Sequence, residues 1–596
     1  MIISASGWRD IFAEDGGAES RSQRISERHA FIASAAASVF ADFVRAKSAN
    51  GAARVIVGYD TRPTGETIAR TVVKTLLSKG AEAIFCGITA APEIMAYASA
   101  SGLAGSADGF IYISASHNPI GYNGLKFGLT DGGVLDGADA AKLEKKFHSL
   151  CSSEKESRLM LAERDRVEAA VLDGALNSAP TRKAAALAAY SAFNAGAVTG
   201  GQQAVMTELK RGLQAAPLGI VADFNGSART RCIDSDFFKD LSLKFRAINA
   251  LPGEIAHRIV PEGEALTPCC DFLGELRRRD SDFTLGYVPD CDGDRGNIVF
   301  FDENSGRVRP LEAQEVFALA CLAELCQLVW TDRQRIDASL SQKTAVAVND
   351  ATSMRVDRIA SAFGAKVFRA ETGEANVVGL GRRLRAEGWN APVMGEGAAG
   401  GCIIHPSSAR DPLGTVTALL KMLRIRSRPG KKGFFELWLE RNGSEERYRD
   451  DFTLSDALAS LPVFTTTAAY SENARMQISS GDHARLKERY QTIFLLEWEK
   501  QKKRLGDKWN IRGWNAAVYN GGVERSGVKN FGEAGRGGLR VLFYGEDGAE
   551  RASLWMRGSG TEPVFRVMAD IEGSNSALHD ELLEWHRSML HEADSA

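Results

Sequence analysis

The sequence predicts an α/β protein: three successive α/β domains with mixed sheets, followed by a small C-terminal α+β domain. Three observations carry this. A chain of 596 residues is long enough for about three to five domains. A β-α-β rhythm recurs along most of it. Near the C-terminus that rhythm gives way to consecutive strands closed by one amphipathic helix.

Residues 54–57 (RVIV) read as a buried strand, Thr64 to Ser78 as a helix and Ala83 to Cys86 as the next strand. Leu218 to Asp223 reads as a strand entering the turn Asn225-Gly226. Thr344–Val348, Met354–Phe363 and Lys366–Phe368 repeat strand, helix, strand. The domains are accordingly expected at 1–205, 206–305 and 306–425. The stretch 150–215 is alanine-rich and predicted helical, with no evident chemistry. Residues 426–510 carry basic runs and helical segments without strand alternation, and are expected to be a connecting region with a helical insertion. In 511–596, GLRVLFY, ASLWMRG and VFRVMAD are strands and Ser576 to Leu590 a helix.

Formal net charge is -3, which gives no global field for nucleic acid or an anionic membrane surface. A phosphate-rich ligand must therefore be met by local cations. Nine cysteines are scattered without a zinc-type pairing, and a reduced, cytoplasmic setting is the simplest expectation. The apolar stretch Val316 to Trp330 is interrupted by Glu324 and too short to span a bilayer.

Four segments carry chemistry. In residues 112–127 (YISASHNPIGYNGLKF) a strand runs into Ser114-Ala115-Ser116-His117-Asn118-Pro119. Asn-Pro and Asn123-Gly124 are turn signals, so Ser116 is expected on a tight, exposed loop, with Lys126 beyond the second turn. In residues 287–301 (YVPDCDGDRGNIVFF), Asp290, Asp292 and Asp294 alternate between two strands. Residues two apart in an extended strand are separated by roughly 6.6 Å, so the loop must curl for all three to meet one cation; Gly293 and Gly296 permit this. An EF-hand is excluded, because its sixth and twelfth positions would be Arg295 and Phe301 instead of glycine and glutamate. In residues 557–566 (RGSGTEPVFR), Ser559, Gly560 and Thr561 offer hydroxyls and flexible backbone N–H groups between two guanidinium forks, Arg557 and Arg566. That donor set suits a phosphate dianion. Residues 395–401 (GEGAAGG) follow a strand; their glycines allow close approach, and Glu396 can accept from sugar hydroxyls.

Together these segments resemble the signatures of the α-D-phosphohexomutase superfamily, which includes phosphoglucomutase and phosphomannomutase. SASHNP resembles its phosphoserine loop, DCDGDR its metal loop, GEGAAG its sugar loop and RGSGTEPVFR its phosphate loop, in the family's order. Ser6-Gly7-Trp8-Arg9 and GYDTR (58–62) are smaller echoes. The resemblance implies interconversion of a sugar 1-phosphate and 6-phosphate, of glucose or mannose, through phosphorylated Ser116 and a bisphosphate intermediate.

On this resemblance the cofactors are Mg2+, held by Asp290, Asp292, Asp294 and a phosphoserine oxygen, and a sugar bisphosphate activator. Arg9, His117, Lys126 and Arg295 line the reacting centre, with Lys126 handling the proton of the reacting hydroxyl. Glu396 reads the sugar. Arg557, Ser559, Gly560, Thr561 and Arg566 hold the phosphate that is not reacting. The partners implied are small sugar phosphates, with neither nucleic acid nor membrane.

Two positions depart from the family pattern. Ala398 stands where serine is usual, and Ala375 where lysine is frequent. Ala398 has some likeness to the phosphopentomutase and glucose-bisphosphate synthase branch, which leaves that activity as an alternative. A metal-dependent sugar phosphatase would need no second phosphate clamp. A non-catalytic sugar-phosphate sensor would not need Ser116, Lys126 and all three aspartates.

Overall fold

The computed structural model describes residues 1–4, 6–48, 51–332, 343–558 and 564–596. The chain divides into two compact units, one of Met1–Leu311 with Ile403–Ile425 and one of Glu312–Cys402 with Arg426–Ala596.

The first unit holds two mixed sheets. In the six-stranded sheet the order is Ile2–Ser4, Gly7–Ile11, Tyr122–Leu129, Gly109–Ile113, Arg54–Tyr59 and Glu82–Ile88. The last three strands run parallel, while Tyr122–Leu129 lies antiparallel between Gly109–Ile113 and Gly7–Ile11. All five residues of Gly109–Ile113 are buried, as expected for a central strand covered on both faces. The helices Glu27–Lys47 and Gly65–Ser78 contribute to its core with Trp8, Phe40, Ile68 and Leu76. The second sheet runs Arg307–Pro310, Asn297–Asp302, Phe283–Val288, Gly219–Asp223 and Lys244–Ile248. Phe283–Val288 and Asn297–Asp302 are antiparallel neighbours, so the loop between them turns back sharply. The stretch 150–215 is helical, with Ala179–Thr199 and Gln203–Ala215 its two long members beside the segment Pro412–Arg424.

In the second unit Lys366–Ala370, Thr344–Asn349 and Asn390–Gly395 form a parallel sheet. A larger antiparallel sheet is built on Gly513–Asn520, Gly538–Tyr544, Glu550–Gly558 and Val564–Glu572. The helices His483–Trp509 and Ser576–Ser595 share a core with it through Tyr490, Phe494, Leu582 and Leu590. Here the structure corrects the reading of 426–510 as lacking strands. Phe464–Thr466 and Arg475–Gln477 both pair with Val564–Glu572. Three residues are too few to show an alternation of apolar and polar positions.

Ala313–Thr331 is long and apolar enough, by length and composition, to cross a membrane, but 78% of its most apolar window is buried inside the protein. It serves as a core helix. All nine cysteines are free.

Candidate active site

The site of the first unit forms where the strand Gly109–Ile113 ends. Ser116 takes a left-handed backbone, φ 53°, which a non-glycine residue holds only when its surroundings enforce it. Arg62, from the GYDTR run, supplies that enforcement. Its guanidinium donates to the carbonyls of Ser116 at 2.7 Å, Asn118 at 2.6 Å, Pro119 at 2.5 Å and Tyr122 at 3.0 Å. Its Nε lies 3.2 Å from Asp60 Oδ2, with both side chains fully buried. Ser114 Oγ accepts from Ser116 N at 2.8 Å and donates to Asp292 Oδ2 at 3.2 Å.

The expectation of an exposed Ser116 is corrected: only 3% of it is accessible. The four carbonyl tethers draw the loop inward, and Ser116 Oγ donates to Asp290 Oδ2 at 3.0 Å. A cavity of about 480 Å3 opens beside the neighbouring His117, lined also by Arg21, Pro119 and residues 255–260. This volume falls within the range of small-molecule sites.

Asp290, Asp292 and Asp294 converge as the curled loop requires, each offering an oxygen within 4.8 Å of the others, all buried. Gly293 makes the turn possible. It has φ 71°, and a Cβ there would stand 2.6 Å from Arg229 Cδ. Asp292 Oδ1 and Asp294 Oδ1 are buried without a hydrogen-bond donor. Orphaned carboxylate oxygens are costly in a protein interior. An all-oxygen donor set with unsatisfied lone pairs fits a hard divalent cation such as Mg2+.

Cations surround this cluster. Lys126 Nζ donates to Asp292 Oδ2 at 2.6 Å, and Arg410 Nη2 to Asp294 Oδ2 at 2.9 Å. Arg295 N donates to Asp290 Oδ1 at 3.3 Å, and Arg295 Nη2 lies 3.1 Å from His117 Nδ1. Arg9 is half-buried on the strand Gly7–Ile11, paired in register with Gly124, and its Nε is a buried atom with no hydrogen-bond acceptor. A Cβ on Gly124 would stand 2.3 Å from Trp8 O and 3.0 Å from Arg9 Cγ, so a glycine is needed there.

The electrostatics follow from burial and these neighbours. Burial pushes the Asp290 carboxyl well above its ordinary pKa, and the charges of Asp292 and Asp294 push it further. Burial also favours protonation of Asp292, but the Lys126 ammonium and Arg410 outweigh it, and its pKa ends below the ordinary value. His117 is driven well below its ordinary value, first by burial and then by Arg295 and Arg9. It is neutral at physiological pH.

In the second unit Glu396 is buried at the end of the strand Asn390–Gly395. Its Oε1 accepts from Gly373 N at 2.8 Å and Asn349 Nδ2 at 3.4 Å. Arg557 and Arg566 stand opposite each other across two strands. Arg557 Nε donates to Glu371 Oε1 at 3.0 Å, while Arg566 Nη1 donates to Ala469 O at 3.0 Å and its guanidinium lies over the Tyr470 ring. Ser559, Gly560 and Thr561 lie outside the described residues. Ala398 packs among Ala351, Trp555 and Met568.

The structure thus gathers Arg9, Ser116, His117, Lys126, Asp290, Asp292, Asp294 and Arg295 in one unit, and holds Glu396, Arg557 and Arg566 in the other. Sequence reasoning missed Arg410, which sits 116 residues from its partner in the chain. The one local signal is its place in Ala-Arg-Asp-Pro, just before the helix Pro412–Arg424. It also missed Lys487, whose ammonium is pushed down to about 7 by burial, with Arg557 adding to the shift, and which donates to Gly535 O and Gly537 O.

Comparison with known proteins places this arrangement. Residues 14–153 match the family model of phosphoglucomutase/phosphomannomutase α/β/α domain I, and residues 326–438 match that of domain III. A probable phosphoglucosamine mutase of Methanopyrus kandleri is 25% identical over 64% of this chain and 70% of its own length. A phosphoglucosamine mutase of Lactobacillus delbrueckii subsp. bulgaricus is 38% identical over 99 residues; the match spans 17% of this chain and only 21% of that relative. Among solved structures, a phosphoglucomutase/phosphomannomutase family protein of Burkholderia thailandensis has a TM-score of 0.58 at 17% identity, covering 99% of this chain and 98% of its own. The phosphoglucomutase pp63/parafusin of Paramecium has 0.62 at 13% identity, covering 100% and 96%. At such identities these structures speak for the fold.

The chain belongs to the α-D-phosphohexomutase superfamily. Its relatives are named as phosphosugar mutases, which are intramolecular phosphotransferases.

Proposed function

We propose that this protein is a phosphohexomutase that interconverts a sugar 1-phosphate and the corresponding 6-phosphate through a phosphoserine at Ser116. The observation that carries the proposal is Ser116 itself: a serine in a left-handed backbone, its Oγ 3.0 Å from Asp290, which belongs to a buried cluster of three carboxylates with orphaned oxygens.

Asp290, Asp292 and Asp294 would hold Mg2+. When bound there, the ion offsets negative charge on the transferring phosphoryl oxygens. The chain's own residues supply the rest. Phosphorylated Ser116 presents its phosphoryl group to a sugar hydroxyl; the new oxygen–phosphorus bond forms on the sugar as the bond to Ser116 Oγ breaks. Lys126 relays the hydroxyl proton towards Oγ. Arg9 and Arg295 hold phosphoryl oxygens, and neutral His117 can accept or donate a hydrogen bond without adding charge. The resulting sugar bisphosphate turns over and returns its other phosphoryl group to Ser116.

In the second unit Glu396 accepts from sugar hydroxyls. Arg557, Ser559, Gly560, Thr561 and Arg566 grip the non-reacting phosphate with charge-assisted bonds. Glucose and mannose phosphates are the proposed substrates. Glucosamine phosphate stands beside them because several relatives are named phosphoglucosamine mutases.

The test is interconversion of glucose, mannose, glucosamine and pentose phosphates with Mg2+ and a catalytic amount of bisphosphate, paired with peptide mapping. One phosphoryl group is expected on the Ser116 peptide, and Ser116→Ala is expected to stop turnover while remaining folded. Phosphate at a different residue, or full activity in the variant, refutes the proposal.

A further inference from the structure

The helical stretch 150–215 has no chemistry of its own, yet one of its helices reaches the supports of the carboxylate loop from behind. On Ala179–Thr199, Lys183 and Tyr190 are seven residues apart and so lie on one face, two turns from each other. Each grips a different support.

Lys183 Nζ donates to both oxygens of buried Glu93, at 2.6 and 2.7 Å. Glu93 Oε2 accepts from Ala90 N at 3.2 Å at the start of the helix Ala91–Leu103. The next amide, Ala91 N, donates to Asp292 O at 2.9 Å, so this chain of bonds ends on the loop's own backbone.

Tyr190 grips two more supports. Its OH donates to Asp411 Oδ2 at 2.5 Å and accepts from Arg229 Nη1 at 2.9 Å. Arg229 is fully buried, is paired with Asp234 at 2.8 Å, and is the side chain on which Gly293 rests. Asp411 accepts from Leu413 N at 2.9 Å and so fixes the start of Pro412–Arg424. It follows Arg410 directly in the chain, and Arg410 holds Asp294 at 2.9 Å.

We infer that the helix Ala179–Thr199 is a strut that positions the carboxylate loop for its cation, with Lys183 and Tyr190 as its two positioning residues. This rests on the proposed metal site. Lys183 acts on the backbone at Asp292, and Tyr190 acts on Gly293 through Arg229 and on Asp294 through Asp411 and Arg410. Neither touches the cation or the substrate. Their part is to hold three mutually repelling carboxylates in register before any cation arrives, which lowers the reorganisation that binding requires.

The experiment measures Mn2+ affinity of the full chain by calorimetry and by loss of the free-ion electron paramagnetic resonance signal. It compares wild type with Tyr190→Phe, which keeps the ring, and Lys183→Met, which keeps the stem. Leu143→Ala, in the core of the first sheet, is the control for general softening. Each strut variant is expected to raise the Mn2+ Kd about tenfold, in line with other partners that act on ligands from behind. The control is expected to lose at least as much thermal stability while keeping its Kd within about twofold, a difference near experimental error on this scale. Wild-type Kd values in both strut variants overturn the inference, as does an equal loss of affinity in Leu143→Ala. Failure of the wild type to bind Mn2+ at all refutes the metal site itself, which is a separate outcome.

Discussion

Arg62→Lys tests whether the serine loop is held by its tether. Arg62 makes four hydrogen bonds to carbonyls between residues 116 and 122 and an ion pair to Asp60, with none of its side chain exposed. Lysine keeps the charge but replaces a planar fork of five donors with a point charge and three. Once one donor returns to Asp60, at least two carbonyls lose their partner. Hydrogen bonds to charged groups contribute about 1.5–3 kcal/mol each, so two of them amount to about 3–6 kcal/mol. The lower end, about 3 kcal/mol, is expected because the retained ion pair spares Asp60 from being buried alone. Ser116 holds its left-handed backbone against a cost of about 1–3 kcal/mol, a strain comparable to what the tether loses. The loop should therefore relax and carry Oγ away from Asp290. A displacement of about 1 Å can slow a positioned reaction about a hundredfold. Guanidinium denaturation reads the first effect, and single-turnover phosphorylation of Ser116 by a sugar bisphosphate, followed by mass spectrometry, reads the second. A variant that loses the stability but is phosphorylated within about threefold of the wild-type rate, under 1 kcal/mol of barrier, refutes the tether.

Asp292→Asn removes a proposed ligand and the Lys126 partner together; Mn2+ affinity should fall by about a hundredfold, and an activity that survives exhaustive chelation contradicts the metal reading. His586 is fully buried between Tyr490 OH at 2.7 Å and Trp555 O at 3.2 Å, and burial brings its pKa from 6.5 down to about 4. The fold keeps it neutral while the unfolded chain takes up a proton, so stability is complete above about pH 6.5 and declines as pH falls to about 4, by about 3 kcal/mol in all. Denaturant titrations at pH 7 and 4.5 should show a smaller acid loss in His586→Gln, and equal losses in the two proteins would refute the assignment. Ala398→Ser should cost about 1–3 kcal/mol of stability, because its hydroxyl enters the cluster of Ala351, Trp555 and Met568; unchanged stability with a sharper choice between glucose and mannose phosphates would show that the position faces the sugar instead.

What the sequence made legible, and what it hid, divides along the range of the interactions. The curl of residues 290–294 could be deduced because its cause is local: carboxylates at alternate positions, two glycines and flanking apolar runs. The central strands were legible because a strand covered on both faces reads as an unbroken apolar run, as in residues 55–57. Arg410 was hidden because nothing beside it in the chain marks it as the partner of Asp294; only folding brings together two residues 116 positions apart. The burial of Ser116 was hidden for the same reason. Asn-Pro and Asn-Gly report a turn, but the inward pull comes from Arg62, 54 residues earlier. Ala398 follows the same rule: nothing beside it in the chain announces Trp555, 157 residues further on, which packs in the same cluster. The alanine-rich stretch 150–215 follows the same logic. Helix propensity was plain in its composition, but Lys183 and Tyr190 acquire a purpose only when Glu93, Arg229 and Asp411 come to one face of the helix. Local chemistry in the sequence therefore pointed to the groups proposed to react, while the side chains that aim them are distributed through the unit and had to be read from its packing.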